Sequence, residues 1–352
     1  MAEGTGSINL RVAILGTGLI GSSLGLRLRR DAAKTKIEIV GYDRYPDVAQ
    51  RARKVGAIDA TAHTPQQAVE GADLIILATP LLAIRKMLEE IAPVVGPDSV
   101  IIDTGSTKAE VLRWVDELLP AHEGFVGAHP MAGKTETGPD SADADLFEGA
   151  RWVIVPTTRT SERATNAALW LAETVGAKSM FMDASEHDAY VAAISHMPMI
   201  AATAMFSMER GSDAWPELSL LAAGGFRDTT RLAGTDPAMA FDIAVTNREH
   251  TIHWLNRYIG ALIDLRERIA DPEQEEVLFR QLAEASFEYS AFINGKVGRE
   301  EASDAQASAA AAFSFQDFLA GGWMREKLAE VTGDSERRLE EQGRQQRQRR
   351  EV

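Results

Sequence analysis

The stretch Arg11-Val-Ala-Ile-Leu-Gly16-Thr-Gly18-Leu-Ile-Gly21 decides the reading of this chain. Its unbroken apolar run, Val12 to Leu15, suits a strand covered on both faces of a parallel sheet. A helix is expected directly afterwards, over Ser22 to Arg30, and the G-x-G-x-x-G spacing between strand and helix is that of a dinucleotide-binding turn. Gly16 permits the tight turn, Gly18 lets backbone approach a pyrophosphate, and Gly21 lets the helix close on the sheet. The N–H groups of the opening turn, at Leu19 and Ile20, then point toward the anion.

Working outward, a second apolar run, Ile37 to Tyr42, ends at Asp43, where a carboxylate can accept hydrogen bonds from ribose hydroxyls. A charge there repels a 2′-phosphate, so NAD is favoured over NADP. Arg44 pulls the other way, because a guanidinium can stack on adenine or pair with a phosphate, or simply lie exposed. Leu74 to Ala78 and Val100 to Ile102 continue the strand–helix alternation, and Ala78-Thr79-Pro80 ends the strand that begins at Leu74, where the nicotinamide half of a dinucleotide normally passes. Shorter strands are expected at Phe125 to Ala128, Trp152 to Val155 and Ser179 to Met182, with a crossover helix over Ser161 to Val175. This predicts an α/β Rossmann-type doubly wound sheet over residues 1–183.

Beyond Asp183 the apolar runs take helical spacing, over His187 to Met208, Glu217 to Leu232, Pro237 to Arg268 and Pro272 to Ile293. An all-α domain over 184–298 follows. Its helices are apolar on more than one face, which predicts a homodimer through this domain. Residues 299–352 turn to Ala, Ser, Glu, Gln and Arg and read as a polar tail, partly helical or disordered.

Composition narrows the function classes. The 352 residues carry a formal net charge of -15, which disfavours nucleic acid, and no cysteine, which excludes disulfides, thiolate metal sites and a cysteine nucleophile. Both fit a cytoplasmic enzyme. No secretory signal is evident at the N-terminus, and the apolar stretch Leu74 to Ile84 is too short to span a bilayer, so no membrane association is expected.

Two strand ends carry unusual polar residues, Asp103-Thr-Gly-Ser106-Thr-Lys108 and Gly127-Ala-His129-Pro-Met-Ala-Gly133-Lys134. In an open parallel sheet both face the cofactor crevice. Ser106 can bind a ligand or simply cap the helix expected over Lys108 to Leu118. His129 is suited to accepting a proton near neutrality. Downstream lie His187-Asp188 and Ser195-His196-Met-Pro198, then Gly224-Gly-Phe-Arg-Asp228-Thr-Thr-Arg231. His187 and His196 lack the spacing of a helical zinc pair and no third ligand is evident, so no metal is expected. Arg231 by itself reads equally as a surface partner of Asp228.

In this order and spacing the motifs resemble the prephenate/arogenate dehydrogenase family, over about Arg11 to Ile293. The resemblance implies NAD-dependent oxidative decarboxylation of prephenate to 4-hydroxyphenylpyruvate in tyrosine biosynthesis. It implies that His129 takes the proton of the ring hydroxyl, that Ser106 orients that pair, and that Arg231 binds substrate carboxylate. His196, His187 and Lys134 are expected on the substrate side. Many members that use prephenate have a histidine where Met199 stands, so arogenate, giving tyrosine directly, is the alternative substrate. The rival readings are a β-hydroxyacid dehydrogenase or imine reductase, and a regulator that binds NAD without turnover.

Overall fold

The computed structural model describes residues 9–30, 36–134 and 136–294; the polar tail expected over 299–352 lies outside them. Eight strands form one sheet: β1 (Asn9–Leu15), β2 (Lys36–Tyr42), β3 (Ala60–Thr61), β4 (Leu74–Leu77), β5 (Val100–Asp103), β6 (Phe125–Pro130), β7 (Arg151–Val155) and β8 (Lys178–Phe181). Their order is β3-β2-β1-β4-β5-β6-β7-β8. The chain leaves β1 toward one edge and returns to its other side at β4, so the crevice of the doubly wound fold opens beyond the ends of β1 and β4. Two features of the sheet differ from the sequence reading. The strand β3 carries too few residues to leave a pattern, and β7 runs antiparallel to β6, so the parallel rhythm stops there.

Helix α1 (Leu19–Arg30) follows β1, then α2 (Pro46–Lys54), α3 (Pro65–Val69), α4 (Leu81–Ile91), α5 (Ala109–Leu118) and α6 (Glu162–Thr174). The alternation of side chains along β1 explains its unbroken apolar run. Val12 and Ile14 pack with Leu24 and Leu28 of α1 on one face, while Ala13 and Leu15 pack with Ile84 and Leu88 of α4 on the other. Neither face reaches water, and each large aliphatic buried this way contributes about 1.5–3 kcal/mol.

The remaining helices are α7 (Ala184–Val191), α8 (Met197–Arg210), α9 (Trp215–Leu221), α10 (Gly224–Thr230), α11 (Pro237–Thr246), α12 (Arg248–Ala270) and α13 (Glu275–Ile293). A π-helical turn, Ala192–His196, joins α7 to α8. Pro198 accounts for it, because proline cannot donate to the carbonyl four residues back and its ring crowds that carbonyl. Ala184–Arg210 is therefore 27 helical residues, within which an 18-residue window has a mean hydropathy of 1.4, long and apolar enough by composition to cross a bilayer. The sequence reading weighs only Leu74 to Ile84 and misses this stretch. The run holds buried His187, Asp188 and His196 bonded to other parts of the chain, which ties it to the sheet.

The chain divides into two compact units, residues 1–256 and 257–352, with the boundary inside α12. Helices α7 to α11 fall with the sheet because three side chains bond them to the loops after its strands. Asp188 accepts from the first N–H groups of α5, Asp242 accepts from Leu82 N at 3.0 Å, and the Thr107 hydroxyl donates to that of Thr246 at 3.0 Å.

Candidate active site

The glycine turn has the geometry its spacing predicts. Gly16 has φ +95°, and a Cβ there would lie 2.5 Å from the Ala78 carbonyl; one on Gly21 would lie 2.0 Å from the Gly16 carbonyl. Neither position tolerates a side chain without moving backbone. Apart from its chain neighbours, no described residue lies within 4 Å of the place a Gly18 Cβ would occupy, so the backbone there is open to a ligand. The first turn of α1 has no acidic residue, which leaves its N–H groups available to a diphosphate.

Asp43 accepts from Thr17 N at 2.9 Å and from Tyr45 N at 3.0 Å. Its carboxylate thus ties the glycine turn to the end of β2, and it keeps lone pairs for hydroxyl donors. A pocket at this point is lined by Asp43, Arg44, Gln50, Thr61 and His63, with the Arg44 guanidinium exposed at 5.7 Å from the Tyr45 ring. Beyond β4, Pro80 precedes α4 and the Thr79 hydroxyl is buried with no partner among the described residues. An orphaned buried hydroxyl favours a polar ligand at that place. Cradle, pocket and hydroxyl together fit a dinucleotide.

At the end of β5, Asp103 and Lys108 form a fully buried ion pair. Asp103 also accepts from Gly105 N at 2.9 Å, and Lys108 Nζ donates to the Ala128 carbonyl at 2.8 Å. The pair therefore fixes the backbone of β6 one residue before His129. Burial pushes the Lys108 ammonium below the usual lysine range, and the Asp103 charge opposes that shift. The sequence reading quoted both residues but gave them no role; charged groups flanking an apolar strand were the available signal.

Ser106 does not cap a helix. The helix α5 starts at Ala109, and its opening N–H groups, of Lys108 and Ala109, are held by the Asp188 carboxylate at 2.8 and 2.9 Å. The capping alternative for Ser106 falls. The residue is half-buried, two positions before Lys108, with no hydrogen bond among the described residues.

Asp188 reaches a third donor. His187 Nδ1 lies 2.7 Å from Asp188 Oδ1, and His187 Nε2 lies 2.9 Å from His129 Nδ1. A carboxylate, a buried imidazole and a half-buried imidazole thus stand in line at the carboxyl end of β6. His187 is 1% exposed and its two ring nitrogens are both engaged within the chain, so what it touches is His129. Burial pushes His129 well below its ordinary pKa, with the nearby His187, Lys108 and His196 acting in the same direction. It is a neutral imidazole at neutral pH.

His196, on the π turn, is 1% exposed. Its Nδ1 meets the Asn247 amide nitrogen at 3.1 Å, and its Nε2 is buried without a partner among the described residues. The Asn247 amide also donates to the Asp188 carbonyl at 2.7 Å. Nothing in the sequence marked Asn247, which stands where α11 ends like many asparagines at helix C-termini.

Two residues expected on the substrate side stand outside this cluster. Lys134 pairs with Asp143 at 2.9 Å on the surface. Arg231 begins a 3-10 turn, Arg231–Gly234, that packs on α8. Its guanidinium is exposed, and no ion pair joins it to Asp228 or to any other described residue. The surface-pair alternative for Arg231 therefore finds no support in the structure.

A dinucleotide cradle at one strand end and an aligned proton acceptor at another define an oxidoreductase that uses a nicotinamide cofactor. The comparisons with known proteins narrow the class. A family model described as "Prephenate dehydrogenase, nucleotide-binding domain" matches residues 24–181, and "Prephenate dehydrogenase, dimerization domain" matches 183–284. The chain belongs to the prephenate dehydrogenase family. It is 34% identical to the prephenate dehydrogenase of Bacillus subtilis (strain 168), over 76% of this chain and 72% of that one. It is 32% identical to the cyclohexadienyl dehydrogenase of Zymomonas mobilis, over 76% of this chain and 91% of that one. The solved structure of prephenate dehydrogenase from A. aeolicus, in complex with hydroxyphenyl propionate and NAD+, superposes with a TM-score of 0.75 at 28% identity. That alignment covers 82% of this chain and all of that one.

Proposed function

We propose that this enzyme oxidises and decarboxylates prephenate to 4-hydroxyphenylpyruvate with NAD, in the cytoplasm and as a homodimer. The observation that carries the reading is the aligned series Asp188, His187, His129. Asp188 holds the proton of His187 on Nδ1, which leaves His187 Nε2 as a lone pair. That lone pair in turn holds the proton of His129 on Nδ1, so His129 Nε2 is bare and able to accept. The His129 nitrogen takes the proton of the ring hydroxyl as the ring carbon is oxidised.

NAD, when bound over Gly16 to Gly21 and Asp43, supplies the hydride acceptor. The chain's own groups hold the reacting ring. Ser106 hydrogen-bonds the ring hydroxyl beside His129, and Arg231 grips a substrate carboxylate bidentately. Loss of the ring carboxylate as CO2 aromatises the ring and makes the step irreversible. The protein therefore has to position the substrate and remove one proton.

Met199 favours arogenate as a second reading. It is 5% exposed and puts a thioether where a further imidazole would offer a hydrogen bond to the substrate side chain. The assay follows reduced-cofactor absorbance after mixing the enzyme and NAD with prephenate or with arogenate. Signal with prephenate supports the proposal, signal with arogenate alone moves the substrate to the second reading, and no signal with either removes catalysis.

Arg231→Gln is expected to raise KM about 10- to 100-fold while changing kcat far less, as for one charge-assisted pair of about 1.5–3 kcal/mol. An unchanged KM would take Arg231 out of the site. The dimer rests on apolar side chains that a single chain leaves open, including Ile194, Leu220 and Leu221 at 70%, 86% and 81% exposure. The absence of cysteine supports a reducing compartment.

A further inference from the structure

Deepening the reading just given, on which it rests, we infer that Asn247 is a positioning residue. It holds His196 as its Nε2–H tautomer, and this imidazole thereby donates a hydrogen bond to an oxygen of the substrate side chain, a keto or carboxylate oxygen.

The orientation of the Asn247 amide is fixed by chemistry. Its terminal atom 2.7 Å from the Asp188 carbonyl has to be the nitrogen, because two carbonyl oxygens cannot share a proton. The same nitrogen lies 3.1 Å from His196 Nδ1, so its second proton goes there and Nδ1 accepts. Asn247 is 4% exposed, which leaves no water to compete for either bond.

A neutral imidazole carries a single N–H. Burial lowers the pKa of His196 to about 4 despite the opposing charge of Asp188, so the ring is uncharged at neutral pH. With Nδ1 accepting, the proton sits on Nε2. That atom is the one nitrogen of the three clustered imidazoles that is both buried and without a partner among the described residues. A buried donor left unpaired is destabilising, and an incoming oxygen acceptor relieves that cost. Asn247 links His196 to Asp188, and Asp188 is linked through His187 to His129, so His196 belongs to the same bonded cluster as the base and the acceptor it serves is assigned to the molecule that His129 deprotonates. An ammonium offers no acceptor; a keto or carboxylate oxygen does.

The test uses the full chain labelled with 15N-histidine. Correlation spectra through the ring nitrogens report which of them carries the proton, and the His196 signals are identified by their loss in His196→Gln. The expected wild-type pattern is a protonated Nε2 and a bare Nδ1. In Asn247→Asp the new carboxylate only accepts, so the proton is expected on Nδ1, on a ring whose pKa has risen. A wild-type ring protonated on Nδ1 overturns the inference, and so does a pattern unchanged in Asn247→Asp.

The kinetic arm does not depend on folding of the Asn247 variant. His196→Phe is expected to raise KM for the substrate about 10- to 100-fold with a smaller change in kcat. His196→Gln, whose amide can accept from Asn247 and still donate, should recover most of that loss. Equal KM values for the two variants sink the substrate contact. Wild-type enzyme inert toward prephenate and arogenate would instead defeat the functional reading, while the nitrogen spectra would still decide the role of Asn247.

Discussion

His129→Asn is expected to lower kcat by about 10²- to 10⁴-fold, the usual contribution of a positioned base, while leaving NAD affinity unchanged. The asparagine can keep a hydrogen bond to His187 but cannot take up a proton. Structure and binding therefore stay, and only the acceptor is lost. Stopped-flow measurement of the hydride step, with cofactor titration alongside, checks both halves. Turnover within a few-fold of wild type would remove His129 from the reaction. The wild-type profile carries a second expectation. Because burial and the neighbouring groups hold His129 well below its ordinary pKa, the ring stays unprotonated as pH falls through the usual histidine range. Activity is then lost only at lower pH, as the ring takes up its proton. A profile whose acid limb sits near 6.5 contradicts that environment.

The second large effect is expected at a residue that meets neither substrate nor cofactor. Asp188→Leu removes both acceptor oxygens and keeps nearly the same volume. Oδ1 accepts from Lys108 N and from His187 Nδ1, and Oδ2 accepts from Ala109 N, so the substitution uncaps α5 and frees His187 together. Loss of the cap should lower stability by about 0.5–2 kcal/mol. With no acceptor at Nδ1, nothing fixes the His187 proton there, and the lone pair that orients His129 is no longer assured. Turnover is expected to fall on the order of 10³- to 10⁴-fold, as when the carboxylate that orients a catalytic histidine is lost. Calorimetry and steady-state kinetics on one preparation separate the two effects. A fall in kcat matched by a collapse in Tm would reduce Asp188 to a cap.

The sheet was legible because buried parallel strands leave an apolar run that few other elements produce, and Val12 to Leu15 with the glycines after it shows one plainly. Each glycine has a local reason for being glycine, visible within a few residues. The antiparallel turn at β7 was not legible. Strand direction depends on where the chain crosses over, and Arg151 to Val155 reads the same either way. His129, Ser106 and Arg231 are candidates that motif order supplies. Asp188 and Asn247 were not assigned, because their work is done on groups distant in sequence: Asp188 on the start of α5 and Asn247 on His196. Polar residues on helices leave no periodic trace of whom they serve. The apolar length of Ala184–Arg210 was missed for a related reason, since Ser195, His196 and Pro198 break the run to the eye while the backbone passes through them in a π turn.

One carboxylate, on Asp188, both seats α5 and aims the imidazoles, so alignment of the base depends on α7 being docked against the sheet. The cradle for the nucleotide makes no such demand, for Gly16, Gly18 and Asp43 are built from strands and turns of the sheet alone. Gentle warming that loosens α7 should then silence the chemistry while the dinucleotide stays bound, leaving a chain that still holds its coenzyme and can no longer spend it.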